Sequence, residues 1–336
     1  TVVSVNGSTP RQVRSRMMIA GPKQIEGSVG GGRLEADVIS NAQALLQTPG
    51  TRLLTVQMTG NDVSQTEMIC GGQVTLYLET LEQKEISFMQ QLLESVSGRA
   101  DVMMITDLNQ QTRASNRYHL ISPSSDSILD ELLTEAQQEM VKSFSQKKSG
   151  AALFANDENG KQLFFEYVRT PDRLFIFGGG HVAYDLAWFA DRCDFQVSVW
   201  DDRPEFANQE RFPMAYNLFT APLGEVIQDL ELGSGDYIVI VTRAHLQDLE
   251  VLRHVVKQVP QYIGLIGSRR KRTMIYAQLE EEGIAKSKLE QVHSPIGLPI
   301  KAQTPAELAV SIIGEIVQVR AEVLETATVG QTGINK

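Results

Sequence analysis

The sequence predicts an α/β protein: a C-terminal parallel sheet with helices on both faces, preceded by a smaller α+β domain. Three observations lead there. Residues 173–204, RLFIFGGGHVAYDLAWFADRCDFQVSVWDDRP, read as an apolar strand, a glycine turn, an amphipathic helix and a second apolar strand. Two further apolar runs, 236–241 and 262–266, each lead into a helix, as strands buried on both faces do. Upstream of Thr170-Pro171, a chain breaker, strands such as 74–78 alternate apolar and polar residues instead.

The first observation is the most specific. Gly178, Gly180 and Ala183 occupy the G-x-G-x-x-G/A positions of a dinucleotide-binding turn, so the parallel sheet reads as Rossmann-like. Gly178 permits the tight turn, Gly180 lets a phosphate approach the backbone, and Ala183 lets the helix pack on the strand. The helix N-terminus offers N–H groups and partial positive charge to an anion. Asp201 follows about 20 residues later, where an acid would meet a ribose hydroxyl. The alternative is a tight turn that holds no ligand.

The chain has 336 residues, enough for two domains, and a net charge of −10, which argues against general nucleic-acid or membrane-surface binding. An anionic ligand must therefore meet a local basic patch. The two cysteines, Cys70 and Cys193, cannot make a disulfide framework and point to a reducing cytoplasm. No apolar run approaches the ~18 residues needed to span a membrane. Thr1 falls inside an expected strand, so the natural start is expected to precede it.

In chain order, residues 2–5 form a strand that turns at Asn6-Gly7, and 16–19 its expected neighbour. Gly30, Gly31, Gly32 and Arg33 then lead into a helix over 34–46, a second candidate anion site or a turn relieving a crowded junction. Strands follow at 52–58 and 74–78, with Cys70-Gly71-Gly72 between them. Cys70 is either an accessible soft ligand or a small buried hydrophobe. A helix over 86–96 and a strand over 102–106 precede a polar stretch, 107–150, with one expected helix over 128–144. Strands 151–155 and 162–168 read as a hairpin.

The domain boundary is set at 170/171. The first domain spans 1–170, the Rossmann-like domain 171–327, and a tail 328–336. After Asp202 come an extended loop, a strand over 214–220 and a helix over 223–230. Helices to about 259 and 282 follow the two apolar strands. The last element, 304–325, opens with Thr304-Pro305-x-Glu307, an N-cap, an N1 proline and a capping box.

Ligands in such a sheet sit beyond the carboxyl ends of the strands. Those ends carry Gly178, Gly180 and His181, then Asp201 and Arg203, then Arg243 and His245, and lastly Gly267, Ser268 and Arg269. Arg269-Arg270-Lys271-Arg272 places four cations at a helix start, against the dipole, a cost that a bound phosphate would offset. The other reading is a solvated basic face. His181 and His245 are candidate acid–base groups. With no Ser-His-Asp, H-E-x-x-H or C-x-x-C pattern, no catalytic residue is assigned. Binding of a phosphorylated ligand is better supported than any reaction.

The blocks IFGGGHVAYDLA, VWDDRPEFANQERFP, VTRAHLQDLEVL, IGLIGSRRKR and VHSPIGLPIKAQTPAELAVSIIGEIV resemble the xanthine dehydrogenase accessory proteins of the XdhC/CoxI family. VNGSTPR, GSVGGGRLEADVI and MICGGQVTLYLE resemble that family's amino-terminal domain. The resemblance implies a factor that binds molybdenum cofactor, either molybdopterin or its cytosine dinucleotide. It would protect the cofactor while a cysteine desulfurase adds the sulfido ligand, then deliver it to a molybdenum hydroxylase such as xanthine dehydrogenase. It also implies that Cys70 lies near molybdenum, and a homodimer. Arg33 stands where family members often have cysteine, which puts a two-cysteine grip in doubt and suggests an anion contact instead. Two other readings remain: an NAD(P)-dependent oxidoreductase with His245 as proton donor, and a non-catalytic adaptor.

Overall fold

The computed structural model describes residues 1–9, 11–21, 24–58, 72–97, 102–109, 117–121, 133–147, 150–156 and 161–328. Two compact units divide between Thr170 and Pro171.

The first unit contains β1 (Val2–Asn6), β2 (Met17–Gly21), β3 (Gln24–Gly27), α1 (Gly32–Gln47), β4 (Thr51–Gln57), β5 (Gln73–Glu79), α2 (Gln83–Ser97), β6 (Val102–Asp107), β7 (Tyr118–Ile121), α3 (Glu135–Lys147), β8 (Ala151–Asn156) and β9 (Lys161–Val168). Its sheets are antiparallel, in the orders β1-β5-β4 and β7-β6-β9-β8, with β2-β3 a separate hairpin. Helix α1 turns Leu34, Val38 and Leu45 inward against Val2, Val74, Leu76 and Leu78. Val141 and Phe144 of α3 pack against Met103, Ile105, Phe165 and Tyr167.

Three expectations for this unit are amended. The strand expected beside β1 pairs with β3, while Arg14 and Ser15 just before it exchange backbone hydrogen bonds with Val2. The polar stretch holds β7, four residues stabilised by their ladder with β6, which no local pattern announces. The expected helix over 128–144 is Glu135–Lys147, and its expected first turn lies outside the described residues.

The second unit contains β10 (Arg173–Phe177), α4 (His181–Arg192), β11 (Gln196–Trp200), β12 (Asn217–Phe219), α5 (Leu223–Gln228), β13 (Asp236–Ile240), α6 (His245–Val255), β14 (Tyr262–Leu265), α7 (Arg269–Glu281), α8 (Lys286–Leu289) and α9 (Pro305–Thr328). All five strands are parallel, in the order β12-β11-β10-β13-β14. The chain starts at the centre, winds outward to β12, then crosses to β13 on the other side. The order therefore reverses between β10 and β13, the switch point of a doubly wound sheet.

Alternate residues of each strand feed two cores. Leu174, Ile176, Val197, Val199, Tyr237 and Val239 pack against Ala183, Leu186, Ala187 and Ala190 of α4 and Ala309, Ile312 and Ile316 of α9. Phe175, Phe177, Trp200, Ile238 and Ile240 pack on the opposite face against α5, α6, α7 and α8 through Leu223, Ile227, Leu249, Leu252, Leu279 and Leu289. The sheet thus carries helices on both faces. The capping box forms: Glu307 N–H donates to Thr304 Oγ1 at 3.2 Å, and Thr304 N–H to Glu307 Oε2 at 3.2 Å. The strand expected over 214–220 shrinks to β12, because the chain ahead of it makes turns beside the glycine loop. Among the described residues, no helix is long and apolar enough to cross a membrane.

Candidate functional site

Phe177 lies in register with Trp200 and Ile240, and Ile240 with Leu265, so the loops after β10, β11, β13 and β14 leave one edge of the sheet. At about 4.8 Å per strand, the loops after β10 and β14 begin about 10 Å apart. Of the predicted residues, Gly178, Gly180, His181, Asp201, Arg203, Arg243, His245, Gly267, Ser268 and Arg269 share this edge.

The glycine turn is fixed from three sides. Gly178 has φ 114°, and a Cβ there would lie 2.5 Å from Val241 O across the switch point. A Cβ on Gly179 would lie 2.2 Å from Phe206 O. Gly180 differs: its φ is −68°, and a Cβ would meet no atom of the described residues within 4 Å. Its openness gives room at the start of α4, where Tyr184 is the first to reach back, to Gly180 O at 3.0 Å. The N–H groups ahead of it point out of the helix end. Ala183 is fully buried against the sheet, as its place in the motif requires.

Asp201 is engaged by the chain itself. It is 4% exposed and accepts from Gly179 N–H at 2.8 Å, Arg203 N–H at 3.1 Å, Arg203 Nε at 2.9 Å and an Arg203 terminal nitrogen at 3.0 Å. Burial alone would raise its pKa, but the Arg203 guanidinium and the two backbone N–H groups outweigh it and hold the carboxyl below its ordinary range. In this arrangement both oxygens accept from the chain itself and form a clasp on the glycine turn. Arg203 is spent with it and stacks on Phe206.

Arg243 is exposed and pairs with Asp202 at 2.8 Å. His181 and His245 are the exposed first residues of α4 and α6. Asp248, one turn into α6, is fully buried; its carboxylate lies 2.6 Å from Thr242 Oγ1 and pairs with Lys271 Nζ.

That pair divides the basic run. Lys271 turns back under Gly267, whose φ is 154° and whose absent Cβ leaves the space that Lys271 Cδ approaches. Arg272 donates to Ser294 O at 2.6 Å. Arg269 and Arg270 are exposed, with no acid paired to them among the described residues. Ser268 caps α7, accepting from Lys271 N–H at 3.3 Å. The four cations expected to face a phosphate are thus two, because the fold employs the others.

In the first unit, Gly30, Gly31 and Gly32 all have positive φ: 139°, 76° and 56°. Glu35 folds back onto this loop, accepting from Ser28 Oγ at 2.6 Å and Val29 N–H at 3.1 Å. The Ser28 hydroxyl holds its carboxyl below the ordinary range; burial opposes this, and the N–H groups of Gly31, Val29 and Gly30 assist. The chain's own carboxylate therefore occupies part of the candidate anion site. Among the described residues nothing lies within 4 Å of a Cβ on Gly31 or Gly32, and Arg33 is exposed, 3.9 Å from Asp37. Cys70 and Gly71 lie outside the described residues.

One residue escaped the sequence reading. Arg211 donates from Nε to Gly179 O at 3.1 Å, and its guanidinium carbon lies 5.4 Å from the Tyr184 ring, 5.4 Å from Phe206 and 5.8 Å from Phe212. Its only local signal is an arginine between two phenylalanines in a loop, which is no motif.

A doubly wound parallel sheet with a glycine turn opening a helix at its switch point defines a Rossmann-type domain. Comparison with known proteins adds matches to both units. A family model described as the XdhC Rossmann domain matches residues 174–316, and one described as the XdhC and CoxI family matches residues 1–57. The two matches fall one in each unit of the chain.

It is 32% identical over 197 residues to the uncharacterized protein YqeB of Escherichia coli K12, covering 57% of this chain and 36% of YqeB. The chain thus spans little more than a third of that relative. It is 25% identical over 328 residues to a probable xanthine dehydrogenase component of Bacillus subtilis 168, covering 96% and 93% of the two chains. It is 22% identical over 320 residues to the molybdenum cofactor insertion chaperone PaoD of Escherichia coli K12, covering 95% and 82%. A crystal structure described as a xanthine dehydrogenase from Bacillus halodurans shares the fold, with TM-score 0.73 and 21% identity over 96% of this chain and 90% of that one.

Proposed function

We propose that this protein is a xanthine dehydrogenase accessory factor. It binds molybdenum cofactor as cargo, supports its sulfuration by a cysteine desulfurase and passes it, as a homodimer in the cytoplasm, to a molybdenum hydroxylase. The observation that carries the reading is the open N-terminus of α4 at the switch point, where Gly180 leaves room for a phosphate. The two family-model matches and the names of the Bacillus subtilis and Escherichia coli relatives support it. The cargo, as molybdopterin or its cytosine dinucleotide, carries such a phosphate. Cys70, in the Cys-Gly-Gly block, is the proposed neighbour of molybdenum. The oxidoreductase alternative loses ground because Asp201, its expected ribose ligand, is held by Arg203 and Gly179.

Cofactor capture tests the proposal. The protein is incubated with freshly released molybdenum cofactor and desalted, and molybdenum and pterin per chain are measured, with Cys70→Ala and Gly180→Trp alongside. Near-stoichiometric retention in the parent protein and its loss in folded variants is the expected result. No retention, with NADH bound instead, would sink the proposal.

A further inference from the structure

The acids and cations around the glycine turn are not equally available. Asp201 and Asp202, both at the end of β11, are held by Arg203 and Arg243. These pairs neutralise the two arginines that the sequence offers first. Arg211 is different: its one side-chain hydrogen bond among the described residues, from Nε to Gly179 O, leaves both terminal nitrogens unspent. Three aromatic rings around the guanidinium fix its direction, and its backbone N–H is tied to Asn208 Oδ1 at 2.9 Å. Gly179, the residue it grips, precedes Gly180, the open position of the turn.

We infer that Arg211 is the ligand-positioning cation of this crevice, closing on a phosphate or diphosphate group that rests over Gly180 at the start of α4. The inference rests on the cofactor-binding reading and deepens it: the crevice recognises the anionic ester of its ligand and reads no ribose hydroxyl through Asp201. A guanidinium already oriented by Gly179 O and by aromatic faces loses little freedom when it binds, and its paired N–H groups match phosphate oxygens.

The test is a calorimetric titration of the full chain with inorganic pyrophosphate, with Arg211→Gln, Arg211→Lys and, as a control at the far end of α4, Arg192→Gln. Arg211→Gln is expected to weaken pyrophosphate binding about 10-fold or more and to flatten its salt dependence. Arg211→Lys should fall between, and Arg192→Gln should match the parent. If Arg211→Gln does not fold, Gly180→Glu takes its place. The site has room for that side chain and a φ that any residue adopts, so the variant should keep its thermal midpoint and lose pyrophosphate. A folded Arg211→Gln or Gly180→Glu that binds pyrophosphate within twofold of the parent overturns the inference, as does a parent chain that binds none. Cofactor capture, run in parallel, separates the two proposals: a parent that retains no molybdenum cofactor yet binds pyrophosphate through Arg211 refutes the cargo reading and leaves the anion clamp standing.

Discussion

Replacing Asp201 separates a clasp from a ligand contact. Its carboxylate takes four donors, and its partner Arg203 is 27% exposed, so the pair is largely shielded from water. Asp201→Ala would leave the Gly179 N–H and one face of the Arg203 guanidinium unpaired near the sheet edge. Losing charge-assisted bonds at such a site costs about 2–4 kcal/mol. Asp201→Asn keeps the shape and one acceptor and should cost roughly 1–2 kcal/mol. Urea unfolding followed by tryptophan fluorescence suits the measurement, because both tryptophans of the chain, Trp188 and Trp200, lie in the second unit.

Acid provides a second readout. The Asp201 carboxyl titrates below its ordinary value in the folded protein. Its contribution is complete above the unfolded value of about 4 and is lost as pH falls through the depressed folded value. The gap between parent and Asp201→Asn should therefore close on acidification. If both variants unfold at the parent's urea midpoint without ligand, and only nucleotide affinity falls, the clasp is wrong and Asp201 is a ribose ligand after all.

Two further contrasts follow from the same edge of the sheet. Gly178→Ala forces a Cβ to 2.5 Å from Val241 O at φ 114° and should destabilise by about 2–4 kcal/mol, whereas Gly180→Ala, with no atom of the described residues within 4 Å, should stay within about 0.5 kcal/mol in the same urea assay. Lys271→Ala strands the fully buried Asp248 carboxylate and should cost about 3–5 kcal/mol, while Arg270→Ala, one residue earlier and exposed, should move the thermal midpoint little. Equal effects of the two last substitutions would mean that the basic run acts as one face.

The parallel sheet was legible because its information is local. Runs such as Tyr237–Ile240 are apolar throughout since both faces are buried, and the glycines at 178–180 sit where the backbone must turn sharply. Thr304 and Glu307 announced α9 because a capping box is satisfied within one turn. Strand β7 was not legible, because four residues in a polar stretch gain their stability from β6, a non-local partner. The family resemblance, likewise a property of ordered blocks along the chain, agrees with the two family models.

The site divides along the same line. By itself the sequence determined which residue types stand at the strand ends: glycines, Asp201, Arg203, Arg243, His245 and the basic run after Gly267. Only the tertiary structure decided which of their charges remain to be used. Asp201 is engaged by Arg203 and Gly179, Arg243 by Asp202, and Lys271 by Asp248, while Arg211, unremarkable in sequence, is brought to Gly179 with two terminal nitrogens unspent among the described residues. The physical reason is that a charge is neutralised by whatever lies within a few ångströms of it. Each of these partners except Arg203 is separated from its mate by tens of residues along the chain, so only folding sets the distance.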